Sequence, residues 1–464
     1  MTFPAPVPEP IAAPDPAVAV APAAPAPGYA PAATATGTSM RQYLEADQAP
    51  DVGVEAAAAV AVQHVPDDAV DEAEPTGFDP ENARLTENLP ADVAMLCVTE
   101  TEWAGKPSFK LHFHYRGRVR CTVAAADLNA QRPRSVSIAE LVDRAGDGRS
   151  PGEGSWREAY YDVMSGWAPM ATLVEWVREL LDAEGDPQLV VWDNTGFEIP
   201  WELFRHTIAL DDDDPGHDDG WLGELIPVIR WTTVHDGANA GRYTATSRES
   251  RGGVLMYEDP ALAVEPAEAD LFRRFEVAER RTTMAQLIRQ LNDTSVAFGL
   301  VIVRCHGTYS AEERRMKLGG MPLNEFSDVR MRALRKYRAP VLLNACVTAR
   351  PVGVVPRSFA ELFLRYGAGA VIATVAEVGL NHSHEFAVRL LEEAEFGEVN
   401  IARTLLDHRR HYAERVRRAF DADEDPRTEE DFKLFFHSFM YVYFGHPGTT
   451  LRAIPREGGG AHDG

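Results

Sequence analysis

The sequence predicts an α/β fold built on a mostly parallel sheet. Near-continuous apolar runs at 296–305, 340–346 and 369–375 have the composition of strands that are covered on both faces. Stretches with helical spacing of apolar residues separate these runs, and alternation of strands with helices is typical of parallel sheets with helical crossovers. The first predicted strands instead follow one another through short turns, which indicates an antiparallel β segment at the start of the folded region.

That N-terminal segment is defined by its turns and by one amphipathic helix. Turn-forming residues at 105–107 and 116–117 separate three short runs with strand character. Farther along, Leu173 and Trp176 share a helical face with three other apolar residues, and Gly185 suits the C-terminal cap of that helix. The predicted elements, in order, are strands 93–100, 108–116 and 118–123, the helix 169–185, and strands 188–192 and 228–234.

The second half of the folded region repeats buried strands and helices. Its strands are bounded by polar or small residues, and its helices carry apolar residues on one face only. No repeat of 20–50 residues is visible, so a solenoid is not expected. The predicted elements are strand 253–258, an amphipathic stretch 264–291, strands 296–305, 340–346 and 369–375, and helices 357–366, 382–395 and 400–420.

Both ends of the chain have the composition of disordered tails. The first 31 residues contain ten prolines, mostly among Ala and Val, and cannot bury enough apolar surface to offset chain entropy. Up to residue 90 there are 14 Asp or Glu against two Arg, which accounts for about −12 of the net charge of −25. We therefore predict a Pro/Ala-rich acidic tail at 1–86, an N-terminal half of the folded region at 88–245, a C-terminal half at 250–456 and a second tail at 457–464.

Charge and hydropathy exclude several classes of protein. A basic footprint for nucleic acid is missing, and no stretch approaches 18 uninterrupted apolar residues or resembles a secretion signal. We therefore expect a cytoplasmic protein without direct nucleic-acid or membrane partners. Four cysteines in so long a chain do not make a disulfide framework, although a pair between Cys97 and Cys121 stays open.

Two predicted strands end in residues that suit nucleophilic catalysis. His306 follows the strand 296–305, and Cys346 ends the strand 340–346. Catalytic groups gather at the carboxyl ends of strands in an open parallel sheet, and the 40 residues between the two side chains allow one crossover. An imidazole within reach takes the proton of a thiol and later protonates the leaving amine. The alternative reading of the same spacing is that both residues are only the polar ends of buried strands.

These strand ends also carry a family resemblance. An apolar strand with His306 and Gly307, then an apolar strand ending in Ala345 and Cys346, resembles the caspase-like cysteine peptidases and, more closely, the bacterial CHAT domain, which is related to separase. The order and spacing of similar stretches agree from about residue 90 to 455, with LLNACVTA at 342–349 as the most specific match. The other similar stretches are NTGFEIPWELF (194–204), SFAELFLRYGAGAVIATVAEV (358–378) and FMYVYFGHPG (439–448).

The resemblance implies a caspase-like fold and a role for each site residue. His306 is the expected general base and then acid, Cys346 the nucleophile, and the backbone amides of Gly307 and Cys346 the oxyanion hole. Asn344 and Glu377 are expected to line the substrate pocket, with Glu377 as a candidate partner for a basic P1 side chain. Residues 375–380 depart from the family pattern, which often has a Trp followed by acids there, so the resemblance leaves substrate specificity open.

The predicted function is therefore a cysteine endopeptidase that acts on a protein substrate and needs no metal or cofactor. The resemblance further implies regulation by a separate sensor or activator protein in a bacterial defence or cell-death system, with antiviral defence as one setting. The alternative is a catalytically silent CHAT-like scaffold for protein interaction. Cys305 is one step out of phase with His306, so we expect it to face the packing and not to be the nucleophile.

Four histidines near the C-terminal end have no metal-like spacing. His382 and His384 are two residues apart on a predicted helix and point apart, whereas His408 and His411 share a face. No cysteine or acidic cluster with zinc-like spacing lies beside them. We therefore expect them on helix surfaces.

Overall fold

The computed structural model describes most of the chain after residue 89. The described residues are 90–103, 106–121, 138–147, 155–166, 171–193, 195, 198–206, 219–232, 248–262, 266–310, 315–351, 358–418 and 428–456, and they belong to one compact unit. The predicted tails at 1–86 and 457–464 lie outside these residues. Within the described part, no helix combines the length and apolar character needed to cross a membrane.

Each of the nine predicted strands has an observed counterpart, the later ones shorter than predicted and three of the earlier ones longer, and nine further short strands in the described part of the chain were not among the predicted elements. They are β1 (Val93–Trp103), β2 (Lys106–Tyr115), β3 (Arg118–Cys121), β4 (Gln188–Asp193), β5 (Arg205–His206), β6 (Gly220–Trp221), β7 (Val228–Trp231), β8 (Glu249–Gly252), β9 (Val254–Glu258), β10 (Leu300–Arg304), β11 (Gly307–Ser310), β12 (Arg315–Leu318), β13 (Met321–Pro322), β14 (Val341–Asn344), β15 (Val371–Thr374), β16 (Val399–Asn400), β17 (Tyr441–Phe444) and β18 (Thr450–Ala453).

The helices include all those predicted and several that were not. The amphipathic stretch 264–291 is two helices rather than one, and the helices before 169 and after 428 were not predicted. The α-helices are α1 (Ile138–Asp147), α2 (Trp156–Gly166), α3 (Ala171–Leu181), α4 (Leu222–Leu225), α5 (Pro266–Phe275), α6 (Met284–Asn292), α7 (Arg332–Tyr337), α8 (Phe359–Arg365), α9 (Leu380–Phe396), α10 (Ile401–Arg418) and α11 (Glu429–Met440); 3₁₀ turns cover Trp201–Leu203 and Leu323–Asp328.

A ten-stranded sheet carries the fold, in the order β3-β2-β1-β4-β7-β17-β15-β14-β10-β9. The pairs from β1 through β4 to β7, and from β15 through β14 and β10 to β9, are parallel. The N-terminal pairs β1 with β2 and β2 with β3 are antiparallel. The predicted fold class, a mostly parallel sheet with an N-terminal antiparallel segment, is therefore confirmed.

Both predicted halves contribute strands to this one sheet, and the remaining described strands form three small sheets: β11-β12-β13, β16-β18-β8 and β5-β6. β17, from the C-terminal end of the chain, is antiparallel to β15 and parallel to β7, so it joins the first set of strands to the second. The predicted boundary between the halves, near residues 245–250, stays a prediction.

Helices cover the sheet and bury its apolar residues. Ile302, Leu342 and Ile372 from neighbouring strands belong to one buried cluster with residues of α5, α9 and α10, such as Phe386 and Leu405. Full burial of a side chain of this size stabilises the folded state by about 1.5–3 kcal/mol. This packing holds the central strands rigidly, and the carboxyl ends of those strands are where the predicted catalytic residues lie.

Candidate functional site

The structure brings His306 and Cys346 to adjacent positions at one edge of the sheet. β10 and β14 are parallel neighbours, with Arg304 paired to Asn344. His306 and Cys346 each lie two residues beyond that pair, so the segments that follow β10 and β14 leave the sheet side by side. His306 is exposed and Cys346 is half-buried. The predicted convergence of the two strand ends is thus present in the backbone.

Gly307 packs directly against the backbone of Cys346. A Cβ atom on Gly307 would lie 1.9 Å from the carbonyl oxygen of Cys346 and 3.0 Å from its nitrogen. Only a residue without a side chain allows this contact. Gly307 also begins β11, which pairs with β12, and the Gly319 amide donates to the His306 carbonyl at 2.9 Å. The backbone on both sides of His306 is therefore fixed against its neighbours.

The Cys346 thiol faces the segment that follows β15. Its Sγ lies 3.9 Å from the carbonyl oxygen of Val378, within the range of a weak hydrogen bond in which the thiol donates. The amide of Gly379, the next residue, donates to Nδ1 of His437 at 3.3 Å. The segment 376–379 thus forms a wall between the candidate nucleophile and helix α11.

Cys346 lies at the start of a strained turn. Val347 has φ +54°, a left-handed conformation that is unusual for a β-branched residue and costs about 1–3 kcal/mol. Backbone hydrogen bonds hold the turn: the amide of Val347 donates to the Ala376 carbonyl at 3.3 Å, and that of Ala349 to the Thr374 carbonyl at 2.8 Å. Strain of this kind persists only where the surroundings enforce it.

The side chain of Asn344 is buried. It is 4% exposed, its Nδ2 donates to the Ser383 carbonyl at 2.9 Å, and its Oδ1 accepts from the Tyr441 hydroxyl at 2.6 Å. Its side chain therefore braces the strand end from inside the core, and the expectation that it contacts substrate does not fit this burial. Glu377, the second residue expected in the pocket, is exposed on the wall segment.

A cavity lies beyond the Cys346 turn, and Arg350 in its lining is already paired with Glu198. Ala349 and Arg350 line it together with Val375 from the end of β15. Arg350 Nε donates to Glu198 Oε1 at 2.8 Å, and its guanidinium lies 4.3 Å from the centre of the Tyr309 ring. These contacts tie the turn to β11, the strand that follows His306.

The other cysteines are distinguished from Cys346 by their environment. Cys305 is buried as expected, and burial raises the pKa of its thiol, which therefore stays protonated at neutral pH. Burial likewise raises the pKa of Cys97 to about 12. None of the four cysteines forms a disulfide. Cys97 and Cys121 lie opposite the same residue, His112, from strands on either side of β2, which separates them.

A buried ion network lies behind His306. Arg304 Nη1 donates to Glu258 Oε1 at 2.6 Å, and Arg280 contacts the other oxygen of the same carboxylate and pairs with Glu276. Glu258 and Arg304 are paired residues of β9 and β10. The sequence contains a signal for this network, because each of the two apolar strands ends in a single charged residue.

The expectation that all four histidines lie on helix surfaces was wrong for three of them. His382, His384 and His408 are at most 3% exposed, and only His411 is exposed. Nε2 of His382 lies 3.1 Å from Nε2 of His408, because α9 and α10 pack face to face at this point. In the described part of the chain, no three His, Cys, Asp or Glu side chains are grouped to hold a metal ion.

Comparison with known proteins gives distant structural matches. No family model and no curated protein matches the chain. Among solved structures, it is similar to two crystal structures of the Saccharomyces cerevisiae separase–securin complex, with TM-scores of 0.39 and 0.38 and 10% sequence identity in each case. The matches cover 78% and 80% of this chain but only 30% and 31% of the matched chains. Values this low assign neither a family nor an activity.

Proposed function

We propose that the chain is a caspase-like cysteine endopeptidase that hydrolyses peptide bonds of a protein substrate with His306 and Cys346. The observation that carries the proposal is the register of β10 and β14, which puts the two residues at equivalent positions past a shared strand pair. The contact between Gly307 and the Cys346 carbonyl supports it, because it holds the two strand ends together.

In the acylation step, His306 takes the proton from Sγ of Cys346, and the thiolate attacks the scissile carbonyl carbon. The C–S bond forms as the carbonyl π electrons move to oxygen. The backbone amides of Gly307 and Cys346 are the proposed donors to this oxyanion. When the intermediate collapses, the C–N bond breaks, His306 gives its proton to the departing amine, and a thioester remains on Cys346.

In the deacylation step, His306 removes a proton from water, and the resulting hydroxide attacks the thioester carbonyl. Collapse of the second intermediate breaks the C–S bond. The carboxylic acid product leaves, and the thiolate of Cys346 regains the proton from His306. One water is consumed, and neither a metal nor a cofactor enters the balance.

We assign different roles to the two residues expected in the substrate pocket. Glu377 is exposed near the thiol and is the proposed partner of a basic P1 side chain. Asn344, because its amide is bonded to Ser383 and Tyr441, is proposed to brace the strand end that carries Cys346.

We further propose that a separate sensor or activator protein controls the activity, in a bacterial defence setting such as antiviral defence. The support is the resemblance of five ordered sequence stretches to the CHAT domain, in which such control is common. The contact of the Cys346 thiol with the Val378 carbonyl fits a resting form, since a sulfur that donates a hydrogen bond to a carbonyl still carries its proton.

Covalent labelling with a peptide that carries a thiol-reactive group tests the endopeptidase proposal. We expect labelling at Cys346 in the native chain, none in Cys346→Ala, and at least a 100-fold slower reaction in His306→Ala, since base assistance is typically worth 10²–10⁴-fold. Cys305→Ala is the matched control and is expected to label normally. If the native chain, supplied with the proteins of its genomic neighbours, never labels selectively at Cys346, the proposal fails and the silent scaffold replaces it.

A further inference from the structure

In addition to its backbone hydrogen bonds, the turn that carries Cys346 is held by two side-chain hydroxyls that bond to one carbonyl oxygen. The hydroxyl of Thr374 donates to the Ala345 carbonyl at 2.7 Å, and the hydroxyl of Thr348 donates to the same oxygen at 3.1 Å. Both threonines are fully buried, at 1% and 0% exposure. A carbonyl oxygen has two lone pairs, so these two hydroxyls fill the hydrogen-bonding capacity of the Ala345 oxygen, in the residue that immediately precedes Cys346.

The two threonines are also bonded to each other. The amide of Thr374 donates to the hydroxyl oxygen of Thr348 at 3.1 Å. Thr348 belongs to the Cys346 turn and Thr374 is the last residue of β15, so this bond joins the turn to the neighbouring strand. Thr348 is thus both donor and acceptor, which fixes the rotation of its hydroxyl.

This network explains how the strained residue next to Cys346 is maintained. Val347 lies between Ala345 and Thr348, the two residues of the turn that take part in these hydroxyl bonds. Its positive φ is not a conformation that valine adopts by preference. An unrestrained chain would relax toward negative φ and rotate the Cys346 amide and side chain away from their present directions. The hydrogen bonds to the Ala345 carbonyl, before Val347, and to the Thr348 hydroxyl, after it, oppose that relaxation.

We propose that Thr348 and Thr374 are positioning residues, whose hydroxyls hold the carbonyl of Ala345 and so keep the Cys346 turn in its strained conformation at the sheet edge. Their importance for the reaction rests on the proposed role of Cys346 as nucleophile. The conformational part of the inference does not depend on that role.

Hydrogen exchange tests the conformational part. Thr374→Val keeps the shape of the side chain and removes the donor, whereas Thr374→Ser retains the donor. We expect the amides of Val347 and Ala349 to exchange about tenfold faster in the valine variant and at near-native rates in the serine variant. Thr404→Val is the matched control, since it removes a hydroxyl bond to Glu393 elsewhere in the core. Unchanged exchange of both amides in Thr374→Val overturns the proposal.

Labelling tests the functional part with two reagents. A peptide probe requires an oriented thiol, whereas a small neutral alkylating agent such as iodoacetamide requires only an accessible one. We expect Thr374→Val to slow labelling of Cys346 by the peptide probe by about 10- to 100-fold and to change the rate of its alkylation by less than about threefold. Thr374→Ser should restore both rates to near-native values. Equal slowing by both reagents, or in the Thr404→Val control, would indicate general destabilisation and contradict positioning. If the native chain reacts with the alkylating agent but never with the peptide, the proposed function fails, and hydrogen exchange alone decides the positioning role.

Discussion

At the scale of single residues, Gly307 sets the distance between the two strand ends. Alanine at this position would place Cβ 1.9 Å from the Cys346 carbonyl oxygen, far inside normal contact, so the backbones have to separate. We expect Gly307→Ala to lower the free energy of unfolding by about 1–3 kcal/mol, as overpacking does. Displacement of the strand ends by about an ångström should slow peptide labelling of Cys346 by about 100-fold.

Gly397→Ala is the control for this prediction. Gly397 has open space around it, with the nearest side-chain atom, from Arg452, at 4.0 Å. Its substitution should leave both urea unfolding and labelling unchanged. Native labelling in Gly307→Ala would mean that the contact between Gly307 and Cys346 is not needed for the reaction.

Glu377 is the residue at which the substrate preference is most directly tested. Glu377→Gln keeps the size of the side chain and removes its charge. If the carboxylate receives a basic P1 side chain, kcat/KM for substrates with Arg at P1 should fall about tenfold, because a hydrogen bond to a charged group becomes a neutral one. Substrates with Asp at P1 should not lose activity. Glu392→Gln, an exposed acid on α9, is the control, and an unchanged P1 preference in Glu377→Gln removes Glu377 from the pocket.

At the scale of elements, the ion pair between β9 and β10 fixes the strand that ends in His306. The Arg304 side chain is 1% exposed, and its partner Glu258 is 7% exposed. Glu258→Ala would remove the carboxylate that faces the buried Arg304 charge, and breaking a buried ion pair from one side typically costs about 3–5 kcal/mol. We expect a loss of that size in urea unfolding.

An exposed pair provides the comparison for Glu258→Ala. Arg273 and Asp270 are 68% and 71% exposed, and solvent screening limits such a pair to about 1 kcal/mol or less. Asp270→Ala should therefore change stability little. A similarly small loss in Glu258→Ala would show that Arg304 obtains an equivalent acceptor from water or from another side chain.

Elements that depend on long apolar runs were predictable from the sequence, and elements that depend on distant partners were not. The strand containing Ile302 was predicted at 296–305 and is observed as Leu300–Arg304, because local composition identifies a buried strand better than its ends. The hairpin of β11 and β12, directly after His306, was missed since its strands are short and partly polar. Helix α11 was also missed, although Thr428 and Asp431 form a capping box that signals its start.

In the candidate site, too, features that depend on local sequence were predictable and features that depend on distant residues were not. The strand-end positions of His306 and Cys346 followed from local sequence. The burial of Asn344 did not, because its partners Ser383 and Tyr441 are 39 and 97 residues away in the chain. Nor does the sequence state which strands are neighbours, and it is the pairing of β10 with β14 that brings the two residues to one place.

At the scale of the whole molecule, helices α9, α10 and α11 meet at three buried histidines. Burial lowers the pKa of His382 to about 3 and of His437 to about 4, and lowers that of His408 well below its usual value. Neighbouring groups lower these pKa values further. His437 acts on His382, and Lys433 acts on His437. Four groups surround His408: His382, Arg389, Arg409 and His411. All three imidazoles are therefore neutral in the folded protein down to acidic pH.

These lowered histidine pKa values should make the folded state less stable as the pH falls. Above about pH 6.5 the histidines are neutral in both the folded and the unfolded chain, so they contribute no pH dependence. Between about pH 6.5 and 4 the unfolded chain binds protons that the folded chain does not. The free energy of unfolding should therefore fall as the pH is lowered through this window, by up to about 1.4 kcal/mol per pH unit for each histidine.

Urea unfolding at pH 7, 6 and 5 measures this dependence, and two histidine variants isolate its cause. His408→Phe removes one buried titrating group and should reduce the slope of stability against pH by about 1.4 kcal/mol per pH unit, whatever its effect at pH 7. His411→Gln, on the exposed side of the same helix, removes only one of the four groups that surround His408, so it should change the slope less than His408→Phe does. An unchanged slope in His408→Phe would assign the acid sensitivity to carboxylates instead. Below about pH 4, protonated His437 can no longer accept from the Gly379 amide, so the protection of that amide against hydrogen exchange, relative to an unstructured chain at the same pH, should fall.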